Sequence, residues 1–184
     1  MMDFAKKIDS LISDWIFQYR NDVWTDFFYS VSNLGSPYCF FLLTLVLCMF
    51  FWLHKKPYHL VLFLFTVGVS SVSVFLLKIL IERPRPIDAL MHLKDFSFPS
   101  GHATIATVFC FLIIYSYKNH FKNKILKYIF ILFFILIWLA ISISRVYLGV
   151  HYFSDVFMGV IIGLLVSSLS TMFFENFSKT RDLL

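Results

Sequence analysis

The chain has 184 residues, of which 59% are hydrophobic, 20% aromatic and only 15% charged, with a formal net charge of +5. A water-soluble domain carries roughly a quarter charged residues and slightly under half apolar ones, so this composition excludes an ordinary soluble globule and points to a bilayer as the solvent. The positive charge does not indicate nucleic acid, because the basic residues stand at the ends of apolar runs, where membrane topology accounts for them.

The N-terminal region comes first and is the least apolar. Phe4, Ile8, Leu11, Ile12, Trp15 and Ile16 recur at helical spacing among Asp3, Lys6, Lys7, Asp9, Asp14 and Arg20. That pattern predicts an amphipathic helix lying in the membrane interface. Trp24, Phe27, Phe28 and Tyr29 continue it as a second interfacial or half-inserted helix over 23–34. No uninterrupted apolar core follows the early lysines, which argues against a cleavable signal peptide. Five apolar runs follow at 38–53, 60–81, 103–117, 125–144 and 153–174, the last interrupted by Ser154 and Asp155. Each approaches the ~20 residues that a span needs. The expected fold is all-α, a polytopic membrane helical bundle with five transmembrane helices, or six if the N-terminal region crosses. It forms a single domain over 1–184, with 1–35 as the amphipathic region and 38–174 as the transmembrane core.

Lys55 and Lys56 lie between the first two spans, Lys118, Lys122, Lys124 and Lys127 between the third and fourth, and Lys179 and Arg181 after the fifth. Alternation puts all of them on one side, which the positive-inside rule makes cytoplasmic. The opposite side receives 82–101, the turn at 145–152 and the N-terminal helix. With no organelle-type targeting segment, a bacterial plasma membrane is the expected location, with that opposite side periplasmic or extracellular. Cys39, Cys48 and Cys110 fall inside apolar runs and read as small buried hydrophobes with no metal-ligand spacing. Trp24, Trp52, Tyr117, Tyr128 and Tyr152 fit an interfacial aromatic belt, and Trp138 falls mid-span as a packing residue. His54, His59, His92 and His120 read as solvated histidines without partners. Nothing in the composition indicates an oligomeric state.

Ionisable groups at membrane depth are costly to keep and mark functional sites. Here they gather at the outer span ends: Lys78 interrupting the end of the second, followed by Arg83 and Arg85, His102 opening the third, Arg145 ending the fourth, and His151 with Asp155 opening the fifth. These helix ends therefore bring cations, histidines and one carboxylate to one face, a place suited to an anionic headgroup. His151 and Asp155 are four residues apart, so on a helix they lie on one face. A carboxylate there accepts a proton from one ring nitrogen and leaves the other as a nucleophile. Pro99, Ser100, Gly101 and His102 read as a helix start, with Ser100 as N-cap and exposed backbone donors for an anion. His102 is placed to protonate a leaving oxygen. Lys78, Arg85 and Arg145 supply charge and forked donors for a transferring phosphoryl group. Arg83 reads as a snorkelling residue and is left out of that set. Glu82 stands beside the site, within reach of neutralisation by a neighbouring arginine.

Lys78-x6-Arg85-Pro86, then Pro99-Ser100-Gly101-His102, then Ser144-Arg145-x5-His151-x3-Asp155 resembles the three-part signature of the type-2 phosphatidic acid phosphatase superfamily, in order, spacing and placement at helix ends. The resemblance implies a helical core in which His151 attacks phosphorus to form a phosphohistidine, with Asp155 orienting it. His102 would serve as acid for the leaving group and then as base for water. Lys78, Arg85, Ser100, Gly101 and Arg145 would hold the phosphate oxygens. It implies a hydrolase acting on the phosphate ester or diphosphate of a lipid, with no metal and no cofactor. Phosphatidic acid, phosphatidylglycerophosphate, lipid A and undecaprenyl diphosphate are the substrate candidates, and membrane lipids are the expected partners. The alternatives are a lipid-to-lipid phosphotransferase using the same site and an inactive lipid-binding protein.

Overall fold

The computed structural model describes residues 2–91 and 93–181, and the side chains of 4–91 and 93–176. His92, and the side chains of Asp3, Lys179 and Arg181, lie outside the described residues. The described residues form helices and no strand: α1 Met2–Phe17, α2 Asp22–Leu34, α3 Pro37–Leu53, α4 Pro57–Ile81, α5 Gly101–Tyr117, α6 Lys124–Tyr147 and α7 Phe153–Arg181.

Local chemistry sets the helix starts. The Asn21 side chain accepts a hydrogen bond from Trp24 N at 3.0 Å, and the Asn123 side chain accepts one from Ile125 N at 2.8 Å. Ser36 accepts from Cys39 N at 3.3 Å, with Pro37 in the first turn where its missing N–H costs nothing. Ser100 caps α5 as its sequence suggests, through Ala103 N at 3.4 Å. α4 stops where Glu82 takes a left-handed φ of 48°, and Pro84 and Pro86 prevent its resumption.

By length and apolar content α4, α6 and α7 suffice to cross a bilayer, and α2 with α3, bent by 44°, make a fourth candidate span. The expectation of five or six spans is met only to that extent, because α3 and α5 have 17 residues each. The shortness of α5 has a physical counterpart in its surroundings. It is the innermost helix, packed by α4, α6 and α7, with Ala103, Ala106, Val108, Phe109 and Leu112 buried. The outer faces of α3, α4 and α6 carry exposed Leu, Ile and Phe, as a lipid-facing surface requires.

Gly159 and Gly163 let α7 lie against α5. A Cβ on Gly159 would stand 2.7 Å from the Ser100 carbonyl oxygen, and one on Gly163 would stand 2.7 Å from Thr107 Cβ. Small residues of this kind allow close backbone approach between membrane helices. The consequence for the site is direct, since Asp155 lies one turn before Gly159 and its carbonyl accepts from Ser100 N at 3.0 Å.

The N-terminal region is built into the same end of the bundle. Ile12 and Ile16 pack on Ala103, Val146 and Val156. Arg20 donates to Tyr147 O from Nε (3.0 Å) and Nη2 (2.8 Å), and to Asp88 O from Nη1 (3.1 Å). It thereby satisfies a carbonyl at the end of α6 and pins the turn that follows. That turn passes through Gly149 at φ 68°, a conformation that side chains with a Cβ rarely adopt. At the opposite end, Tyr58 and Tyr115 hydroxyls meet at 3.1 Å and Tyr115 donates to Glu175 at 2.5 Å. His59 is not the unpartnered residue expected, because its Nδ1 meets Ser116 Oγ at 3.2 Å. His54 likewise has its Nδ1 at 2.9 Å from Phe50 O. Trp138 donates to Thr107 Oγ1 at 2.8 Å, which fits its packing role.

Candidate active site

A cavity of about 550 Å³ opens at the end of the bundle where α4 and α6 finish and α5 and α7 begin. Lys78, Arg85, Gly101, His102, Arg145 and His151 all line it, so six of the eight residues singled out in the sequence share one space. The other two, Ser100 and Asp155, are buried behind it. From this charged end the cavity descends between Phe40, Phe41 and Thr44 of α3 and Val67, Ser71 and Val74 of α4. The 11 positions from Val67 to Lys78 correspond to about 16 Å of helix.

His151 stands in the turn before α7, not within it, since the helix begins at Phe153. The expected single helical face is therefore replaced by a turn that folds the ring back over the first turn of α7. His151 N and Val150 N both reach Arg145 O at 3.2 Å, which holds the turn against the end of α6. The ring Nδ1 lies 3.6 Å from Asp155 Oδ2, slightly beyond a hydrogen bond, and 3.5 Å from Ser97 Oγ. Ser97 donates to the same carboxylate oxygen, which also accepts from Tyr152 N at 3.0 Å. The other ring nitrogen, Nε2, faces Arg85 Nη1 at 3.3 Å. Burial lowers the His151 pKa from 6.5 to about 4, aided by the positive Arg85 and Arg145 and opposed by Asp155. The imidazole is therefore neutral near pH 7, with one nitrogen toward the carboxylate and one toward the cations.

The cations are held from several sides. Arg85 donates from Nη1 to Val150 O at 2.5 Å, from Nε to Asp95 O at 2.8 Å and from Nη2 to Asp95 Oδ1 at 2.7 Å. Lys78 donates to Phe96 O and pairs with Asp95 Oδ2 at 2.9 Å. Asp95 thus bridges the two cations while remaining 57% exposed. Partial burial raises its pKa, but the hydrogen bonds from Lys78 and Arg85 prevail and hold it at about 2. Arg145 is different. It is 1% exposed, donates from Nη1 to Ser32 of α2, and its buried Nε meets no hydrogen-bond partner among the described residues. Gly101 and His102 occupy the first turn of α5, where helix amides lack intrahelical acceptors.

Arg83 corrects the reading of a snorkelling residue. Its Nη1 pairs with Asp155 Oδ1 at 2.6 Å and its Nη2 with Asp9 Oδ2 at 2.7 Å. Glu82, its neighbour, is exposed and takes no part in these ion pairs. The site thus contains three carboxylates, from Asp9, Asp95 and Asp155, where the sequence suggested one. Asp9, Ser32, Asp95 and Ser97 join the site from outside the three-part signature. Asp9 carried a signal, since it shares the i, i+3, i+7 face with Ile12 and Ile16, and a carboxylate in a buried stripe needs a partner. Among the described residues no three His, Cys, Asp or Glu side chains gather as metal ligands.

Comparison with known proteins places the chain in a family. A sequence profile of the PAP2 superfamily matches residues 59–179, which include every residue of the three-part signature. Phosphatidylglycerophosphatase B of Bacillus subtilis is 35% identical over 171 residues, covering 89% of this chain and 80% of that protein. The crystal structure of a transmembrane PAP2-type phosphatidylglycerolphosphate phosphatase from Bacillus subtilis superposes with a TM-score of 0.84 at 29% identity, over 93% of this chain and 86% of that one. Aquifex aeolicus LpxE superposes with a TM-score of 0.70 at 26% identity, over 88% and 93% respectively. The cationic cavity lined by two histidines and the extent of these matches lead to one conclusion: this all-helical integral membrane chain belongs to the PAP2 superfamily.

Proposed function

We propose that the chain is a lipid phosphatase working through a phosphohistidine, with phosphatidylglycerophosphate as its first candidate substrate. The observation that carries this reading is the cavity itself, cationic and histidine-lined at its end and apolar where it descends between α3 and α4. A phosphate fits the first part and an acyl chain the second. The names of the Bacillus subtilis relatives put phosphatidylglycerophosphate ahead of phosphatidic acid, lipid A and undecaprenyl diphosphate.

In this reading Lys78, Arg85, Arg145 and the Ser100–Gly101 helix start hold the phosphate oxygens. His151 Nε2 attacks phosphorus while the bond to the lipid oxygen breaks, and His102 gives that oxygen its proton. Water then attacks the phosphohistidine, His102 takes the water proton, and inorganic phosphate leaves. The charge that a metal would otherwise provide comes from the three cations. The membrane placement belongs to the same proposal. α3 to α7 cross as five spans, the bundle holding the short α5 from within, and α1 lies in the interface as an amphipathic helix. The site faces the outer side of a plasma membrane, because Lys55, Lys56, Lys118, Lys122 and Lys124 stand at the other end.

The test is phosphate release by the purified chain in detergent with excess chelator, across those four lipids and a water-soluble phosphate ester. Chelator-resistant release from phosphatidylglycerophosphate, well ahead of the soluble ester, is expected. Release that disappears with chelator, or equal turnover of the soluble ester, would sink the metal-free mechanism or the intramembrane access route respectively. Phosphate that appears on an added acceptor lipid instead of in water would identify a transferase.

Asp95 adds a second expected result. Its carboxylate occupies the same two cations that a substrate phosphate would use. Asp95→Asn should therefore lower KM several-fold and tighten inhibition by inorganic phosphate to a similar degree, by removing an internal competitor. A higher KM would show that Asp95 instead holds Lys78 and Arg85 in place.

A further inference from the structure

Asp155 is fully buried, and its two oxygens are committed to different partners. Oδ2 takes Ser97 Oγ and Tyr152 N and faces the His151 ring. Oδ1 takes Arg83 Nη1 at 2.6 Å. A carboxylate bound on both edges has no freedom to turn about its Cβ–Cγ bond, so the oxygen facing His151 is fixed by what holds the other one. Arg83 is itself held. Its Nη1 also reaches Ser154 Oγ at 2.7 Å, its Nη2 reaches Asp9 Oδ2 at 2.7 Å, and its guanidinium lies over the Tyr152 ring at 4.0 Å.

Asp9 completes the chain from a different helix. Only 1% exposed, it accepts from Ser154 N (2.8 Å) at Oδ1 and from Ser154 Oγ (2.7 Å) at Oδ2. It therefore caps the start of α7, a service usually performed by the residue preceding the helix. One side chain of α1 thus anchors both Arg83 and the helix turn that carries Asp155. Arg83 does not line the cationic cavity, so it is not placed to hold the substrate phosphate. A buried ion network is in general a weak stabiliser, which leaves little reason in stability alone for two carboxylates and a guanidinium here.

We propose that Arg83 and Asp9 are positioning residues for the nucleophile, acting through Asp155 to set the direction of the His151 ring. The proposal rests on the roles assigned above to His151 and Asp155. Arg83 acts on the ring through a carboxylate, Asp9 acts on Arg83 and on the N-terminus of α7, and neither touches the reacting atoms. The N-terminal helix is on this account part of the catalytic apparatus.

The experiment is a double-mutant cycle on the full chain in detergent, with phosphatidylglycerophosphate as substrate and thermal unfolding measured in parallel. Arg83→Gln should lower kcat by about 10- to 100-fold with KM changed less than about twofold, the pattern of a lost transition-state arrangement. Arg83→Lys, which keeps the charge but not the fork, should recover part of that loss, and Asp9→Asn should lower kcat several-fold. On an Asp155→Asn background Arg83→Gln should cost nothing further, because its route to the histidine is already cut. Losses that multiply in the double variant, or a raised KM with kcat intact, overturn the positioning role while leaving the site reading in place. An Asp155→Asn variant with undiminished kcat overturns the site reading and the positioning role together. Should Arg83→Gln fail to fold, Arg83→Lys and Asp9→Asn combined with Asp155→Asn give the same two readings.

Discussion

His151→Ala is expected to reduce phosphate release by roughly three orders of magnitude or more, with the fold retained. The ring is 2% exposed, one nitrogen faces Asp155 and the other faces the cavity beside Arg85. Cys110, buried in α5, is not among the cavity-lining residues, so no thiol stands ready to replace the imidazole. Brief incubation of the unmutated chain with labelled substrate should leave label on protein that survives base and is lost in acid, the behaviour of a phosphoramidate. The alanine variant should leave none. The same residue sets an acid limit. With its pKa lowered to about 4, His151 is the neutral nucleophile at any pH well above that, and protonation removes its lone pair below it. The acid limb of kcat/KM, corrected for ionisation of the substrate, should therefore fall near pH 4 and not near the 6.5 of a free imidazole. The linked stability has the same direction. The unfolded chain binds this proton more readily, so stability rises with pH between about 4 and 6.5 and is independent of this group above that range. Undiminished turnover in His151→Ala would end the phosphohistidine reading.

Arg145→Ala is expected to lower kcat/KM by about 1,000-fold, the scale on which an arginine that neutralises a transferring phosphoryl group acts. Its guanidinium lies inside the bundle, lines the cavity, and forms no ion pair with a carboxylate among the described residues. A cation kept at depth without a counter-ion costs stability, and the ligand is what would balance it. The variant should therefore unfold at an equal or higher temperature than the parent while losing activity. Arg145→Lys should recover little, since one ammonium cannot reproduce two forked donors. Ser32→Ala, which frees Nη1 from its α2 partner, should cost only several-fold. A loss below tenfold in Arg145→Ala, or a marked fall in thermal stability, would mean that the residue supports the bundle and does not contact phosphate.

Much of this architecture was legible in the chain. The apolar runs marked α3 to α6 to within about three residues, and the start of α7, which continues seven residues past its run, because long apolar stretches end where lysines, prolines and caps stand. Ser100 as the cap of α5 was readable from one local pattern, and so was the gathering of Lys78, Arg85, His102, Arg145, His151 and Asp155 at one end. Successive helices that run back and forth bring alternate ends together, which is why residues as far apart as Lys78 and Asp155 meet at one end of the bundle.

What escaped the sequence was every contact made across the bundle by a residue whose own surroundings are ordinary. Arg83 has the same local context as a snorkelling arginine, and only the approach of α1 supplies Asp9. Ser32 and Ser97 are common polar residues until α2 brings the first to Arg145 and the 93–100 loop brings the second to Asp155. Asp95 sits in an exposed loop, and its hold on Lys78 and Arg85 depends on how that loop returns over α4. The start of α7 at Phe153, two residues past His151, also decided how His151 meets Asp155. The chain's own periodicity and charge therefore determined the helices, their order and the face that carries the chemistry. The tertiary structure alone decided which side chains hold that chemistry in place, because partner choice in a packed bundle depends on distances between helices that no spacing along one helix encodes.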